Sequence, residues 1–184
     1  MGATMFKFEQ LDKKKTYVGL QCSKTLLGKK IVKYSKEYAP NSSRIPSHVM
    51  GLKFRYGSWW IFESHITGNK KYNIRDGVVR TRQDVWEKIE NPEVYEVYPL
   101  KLKVRKLEEY IGQPYGVGDI KELLQASLFH TNGKQKDHNG LICSEYIALC
   151  NDYVCKYYNL PAYCITPAHF QNYFDSKNIQ AVGK

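Results

Sequence analysis

The chain lacks any long apolar run, and nothing in its 184 residues approaches the roughly 20 apolar residues that a membrane-spanning helix needs. Met1–Lys15 contains no apolar stretch ahead of a small-residue cleavage site, so no secretory signal is read there and a cytoplasmic protein is expected. A virion component fits the same pattern. No CxxC pair occurs. The five cysteines, Cys22, Cys143, Cys150, Cys155 and Cys164, are odd in number and irregular in spacing, which argues for reduced thiols rather than a disulfide framework. The gaps from Cys143 to Cys150 to Cys155 are too wide for a zinc ribbon or finger. His138 and His169 are available as nitrogen donors, but no metal site and no cofactor are expected. Repeats, low-complexity segments and linkers are absent too. A single α+β domain spanning 1–184, with its core over about 16–175, is therefore anticipated.

Positive charge is what the chain has in excess. The net charge is +10, and the lysines fall in short groups (Lys13–Lys15, Lys29–Lys30, Lys70–Lys71, Lys101–Lys106) rather than one tract. An anionic polymer or an acidic membrane surface is a natural partner for such a chain. No helix-turn-helix, zinc or RNP-like signature accompanies the charge, so no specific nucleic-acid motif is read.

Periodicity then supplies elements. Residues 16–23 read as a short strand. Leu27, Ile31 and Tyr34 recur at helical spacing, which predicts a helix over about 24–37. Residues 47–55 and 58–66 are two strand-like runs around Tyr56-Gly57, a two-residue hairpin loop. With that loop, Arg55 pairs with Ser58, Leu52 faces Ile61, Phe54 faces Trp59, Met50 faces Glu63 and His48 faces His65. One face of the hairpin is then apolar near the turn and carries His48, Glu63 and His65 at its far end. Residues 73–99 give mixed signals. Leu100, Val104, Leu107 and Ile111 predict a helix that Gly112 ends. A second helix is expected over 121–129, a polar loop over 130–140, and one long helix over 141–157 with Cys143, Ile147, Cys150 and Val154 along a stripe. Ile165 to Phe170 reads as a strand end followed by a short helix with Pro167 in its first turn.

A thiol nucleophile needs a lowered pKa, a base within reach and a group that orients the base. Cys143 stands in the first turn of its predicted helix, where unpaired N–H groups and the helix dipole favour a thiolate. Gly140, just before it, is expected to let a substrate backbone approach. The competing reading is a small buried hydrophobe, which suits Cys150 and Cys155. His48 is the base the pattern offers, against the alternative of a hydrogen-bonded core histidine. Glu63 is its orienter, against an ion pair with a lysine, and His65 is a rival orienter. Gln21 and Tyr17 on the first strand are candidates to bind an oxyanion. His130, His138 and His169 are expected on the surface or in loops.

Five segments in order resemble the circularly permuted papain-like hydrolases of the NlpC type, a superfamily that includes lecithin retinol acyltransferase. Ser47-His48-Val49-Met50-Gly51-Leu52 is similar to the histidine strand of that family, and Trp60-Ile61-Phe62-Glu63-Ser64 to the next strand with its third polar residue. Tyr110-Ile111-Gly112-Gln113-Pro114-Tyr115 resembles the Gly-x-Pro-Tyr turn. Leu141-Ile142-Cys143-Ser144-Glu145-Tyr146 resembles the start of the nucleophile helix, and Ile165-Thr166-Pro167-Ala168 a C-terminal element. The resemblance implies a small antiparallel sheet packed against the nucleophile helix. It implies a thiol hydrolase, amidase or peptidase, or a lipid acyl hydrolase or acyltransferase, working through a Cys143 acyl-enzyme with His48 as base. Its substrates would be peptides, peptidoglycan or lipids. Residues 66–99 carry no motif of that family, and substrate selection is expected to reside there. The alternative of another class is a catalytically silent binding module of a virion or host-interaction protein.

Overall fold

Tyr56 and Gly57 both take positive φ (51° and 77°), the backbone of a tight hairpin turn whose twist matches that of its strands. They join β2 (His48–Arg55) to β3 (Ser58–His65) in the computed structural model, which describes residues 6–22, 26–42, 44–66, 68–90, 95–116 and 140–182. The pairs Arg55–Ser58, Phe54–Trp59 and Leu52–Ile61 stand in the register read from the two-residue loop. β1 (Thr16–Gln21) pairs with β2 and brings Gln21 opposite His48. The ambiguous stretch after residue 73 supplies both edges: β4 (Gly77–Arg82) pairs with β3, and β5 (Tyr95–Pro99) with β1. The result is a five-stranded antiparallel sheet in the order β4-β3-β2-β1-β5.

Both faces of this sheet are buried, each by different residues of the same strands. Val18, Leu20, Val49, Phe62 and Tyr98 point to one side and pack against Tyr146, Ile147, Phe170 and Phe174. Those four come from helices α4 (Cys143–Leu149) and α6 (Pro167–Ser176). Tyr17, Met50, Leu52, Trp59, Ile61 and Val97 point to the other side, where Phe6, Phe8, Leu11 and Trp86 cover them. Trp86 ends α2 (Gln83–Trp86), a single turn after β4. The hairpin face that carries His48, Glu63 and His65 is thus the one turned away from α4. The thiol and the imidazole meet at the end of the sheet rather than across its face.

Four expectations change. Helix α1 covers Leu26–Ser35, with a 3-10 turn over Lys36–Tyr38 completing the predicted span, and α3 runs only over Val104–Glu109. The single helix over 141–157 is two: α4 stops at Leu149 and α5 begins at Tyr153. Asn151 makes the break. Its side-chain carbonyl accepts the N–H groups of Tyr153 and Val154, both at 3.2 Å, and its amide donates to Ile147 O at 2.7 Å. His169 is buried, not on the surface. Its Nδ1 accepts the Thr166 N–H at 3.1 Å to close the start of α6, and its ring stacks on Tyr38. Burial pushes its imidazolium down to about 4. No strand forms at Ile165. The expected helix over 121–129, with His130 and His138, lies outside the described residues. Among the described residues no helix is long and apolar enough to cross a membrane.

The sheet is locked to the segments that lead into the Cys143 helix through three hydrogen bonds, two of them between backbones. Val78 N–H donates to Gln113 O (2.8 Å), Leu141 N–H to Pro114 O (2.9 Å), and Ser64 Oγ to Leu141 O (2.6 Å). Gly77 makes the first contact possible: at φ 92°, a Cβ there would sit 2.2 Å from Gln113 O. Gly77→Ala is therefore expected to cost about 3 kcal/mol or more, combining strain with a backbone clash. Gly57→Ala, at positive φ but in open space, should cost only about 1 kcal/mol. Urea unfolding of the two variants checks this, and equal losses would show that the Gly77–Gln113 contact does not hold the edge strand.

Candidate active site

The start of β2, the end of β3 and the start of α4 converge on a cleft of about 220 Å³. Gln21, Ser47, His48, His65, Glu90, Tyr95, Tyr115 and Cys143 line it. His48 stands at the first position of its strand, where pairing with Gln21 fixes the backbone. Its Nε2 lies 3.0 Å from Glu63 Oε2, and the Cys143 thiol beside the same ring raises its pKa. Glu63, 1% exposed, serves two imidazoles: His65 Nε2 lies 3.1 Å from Oε1, off the line of a well-formed hydrogen bond. The two histidine rings stack with centroids 5.9 Å apart.

Charge decides the protonation of this group. Burial alone would push the Cys143 thiol up and the His48 imidazolium down. The opposite charges of the pair outweigh burial at both partners. Cys143 is held below an ordinary thiol by His48 and by the Val49 and Ser144 N–H groups, and His48 is pushed up to about 10 by Cys143 and Glu63. Burial likewise works against the Glu63 carboxylate, but His65 and His48 keep it well below the usual carboxylate range. At Cys150 burial outweighs the charges of Lys106 and Lys103 and pushes the thiol up to about 12. These shifts favour a thiolate–imidazolium pair backed by a carboxylate. It can attack an electrophilic carbon and shuttle one proton.

Of the residues singled out above, Cys143, His48, Glu63, His65 and Gln21 come together here. Tyr17 does not. It lies on the same face of β1 as Gln21 but four residues away, about 13 Å along the strand. There its ring packs on Trp59 and its hydroxyl accepts the Asp12 N–H at 2.8 Å. Gly140 also differs from expectation. A Cβ on it would lie 2.8 Å from Tyr115 C and Gly116 N, so it admits the 115–116 backbone rather than a substrate. That contact seats Tyr115 beside Cys143. The helix contribution to the thiolate is smaller than the long predicted helix implies, because α4 has only seven residues.

Glu90 and Tyr95 join the site without any sign in the sequence. Glu90 follows α2 in an irregular turn, where Gln21 Nε2 (3.3 Å) and Tyr95 OH (3.4 Å) both donate to its Oε2. Among the described residues no group of three or more His, Cys, Asp or Glu side chains is arranged to hold a metal ion. In comparisons with known proteins, no family model matches the chain and no curated protein does.

Because Glu63 supplies the negative charge behind His48, Glu63→Gln should lower the imidazolium pKa and the thiolate population with it. Carboxamidomethylation of Cys143 at pH 6.5, followed by peptide mass mapping, is expected to slow about tenfold or more. His65→Ala should slow it about twofold to threefold, since Glu63 keeps its hydrogen bond to His48. The reverse ranking would make His65 the orienting group.

Proposed function

We propose that this chain is a thiol hydrolase or acyltransferase of the permuted papain-like type, acting on an amide, peptide or acyl-ester bond through an acyl-enzyme on Cys143. The observation that carries the reading is the line of thiol, imidazole and carboxylate formed by Cys143, His48 and Glu63. The antiparallel sheet with a cysteine-bearing helix start at its end supports the fold assignment, as do the five ordered segments described above.

In this mechanism His48 holds the thiol proton, and the Cys143 sulfur attacks the carbonyl carbon to form a tetrahedral oxyanion. Gln21 and Tyr115 line the same cleft as Cys143 and are side-chain donors available to that oxygen. Burial and the neighbouring Cys143 charge keep the Tyr115 phenol protonated, so it has a hydrogen to give. Collapse of the intermediate breaks the carbonyl–heteroatom bond, and His48 donates its proton to the leaving amine or alcohol. Water or an acceptor then attacks the thioester while His48 accepts its proton, and the second collapse restores the thiolate–imidazolium pair. Glu63 keeps the imidazole in one tautomer and stabilises its charge throughout. Cell-wall peptides and lipids are the substrate classes that the resemblance suggests.

An activated ester separates this reading from that of a silent binding module. Mixing the protein with p-nitrophenyl acetate should give a burst of nitrophenolate and a 1:1 acetyl adduct that maps to the Cys143 peptide. Cys143→Ala should show neither, with the fold retained by circular dichroism. A wild-type protein that gives no burst and no adduct would support the binding module.

A further inference from the structure

The cleft differs in charge from the rest of the molecule. The chain has 28 lysines and arginines, yet none is among the described residues that line the cleft or the second cavity behind it. That second cavity, also about 220 Å³, lies behind His65 and is bounded by Glu63, Asn69, Thr81, Trp86 and Glu90. His65 and Glu90 line both spaces and so form the partition between them.

Two observations say that a polar occupant belongs there. Trp86, 1% exposed, has an indole N–H with no acceptor among the described residues, and Glu63 Oε1 has no well-aligned donor. Buried polar atoms of this kind are rare in folded proteins and mark a place where a partner enters. The sign of the charge follows from Glu90. Glu63 already serves two histidines, whereas the hydrogen bonds to Glu90 come from the neutral Gln21 amide and Tyr95 hydroxyl. Both reach Oε2, which holds the carboxylate in place and leaves Oε1 for an incoming group. Burial and the nearby Glu63 raise the Glu90 pKa against the lowering by His48 and His65, and a cation beside Glu90 would oppose that rise further.

We propose that Glu90 is a specificity residue that selects acyl substrates bearing a protonated amine close to the scissile carbonyl. The ammonium group sits against Glu90 at the partition, with the cavity behind His65 accepting the polar atoms or water around it. The inference rests on Cys143 as the nucleophile and narrows the substrate to amine-bearing acyl compounds, which favours peptides over neutral lipids.

Charged thiol reagents test it without any substrate. Native protein is treated with three methanethiosulfonates: methyl (neutral), aminoethyl (cationic) and sulfonatoethyl (anionic). In each case the thiolate displaces methanesulfinate and leaves a mixed disulfide that mass mapping assigns. Rates at Cys143 are divided by those of the same reagents with mercaptoethanol. The net charge of +10 favours the anionic reagent. We expect the opposite at Cys143, a cationic-over-anionic ratio about 10- to 100-fold above that of the free thiol. Glu90→Gln should bring that ratio to within about threefold of the free-thiol value. A wild-type ratio at or below the free-thiol value would overturn the proposal, as would a ratio that Glu90→Gln leaves intact. If the neutral reagent labels Cys143 no faster than Cys150, the nucleophile reading fails and this inference falls with it. Normal neutral labelling without a cationic preference would overturn this inference alone.

Discussion

A carboxylate withdrawn from water at the end of a β-sheet is the constraint on which the site depends. Glu63 is 1% exposed, and a charge so placed is tolerated only when opposite charges and hydrogen bonds surround it. His48 hydrogen-bonds one oxygen, and the His65 ring stands 3.1 Å from the other. The requirement runs outward from there. Cys143 and Glu63 together favour the charged form of His48, and that charge in turn lowers the pKa of Cys143, which burial alone would raise. The site exists because each member offsets the desolvation of the next.

The fold must bring three chain segments into register for this to occur. The hairpin turn at Tyr56-Gly57 sets His48 and Glu63 side by side at the far ends of the two strands it joins. The edge contact at Gly77 then carries the loop after α3 to the sheet, and that loop carries Leu141 and the start of α4. Ser64, on the opposite face of β3 from Glu63, bonds Leu141 O and fixes how far the helix start reaches over the sheet end. Alternate residues of one strand thus meet His48 and dock the Cys143 helix.

Much of this was legible from residue order, and the gaps have physical causes. The hairpin could be read because side chains alternate with period two and the turn leaves only one register. The two edge strands could not: β4 carries Arg80 and Arg82 on its exposed positions, and its identity as a strand comes from pairing with β3. Periodicity assigns a face but not an end, which is why Tyr17 and Gln21 looked equivalent although only Gln21 reaches the cleft. The long helix over 141–157 kept a continuous stripe through its break, because Asn151 ends one helix and caps the next without disturbing the apolar pattern. Glu90 had no local signal at all. It lies in an irregular turn far beyond Glu63 in the chain, and only the packing of α2 under the sheet brings the two together.

The pH dependence of Cys143 alkylation by iodoacetamide tests the central pairing most directly, measured from pH 4 to 10 on native wild-type protein and on His48→Ala. If His48 holds the thiol proton, wild-type Cys143 reacts as a thiolate with an apparent pKa well below the roughly 8.5 of a free thiol. In His48→Ala that value should rise to about 8.5 or above, as burial then acts unopposed. An apparent pKa of about 8.5 or higher in both proteins would contradict the account.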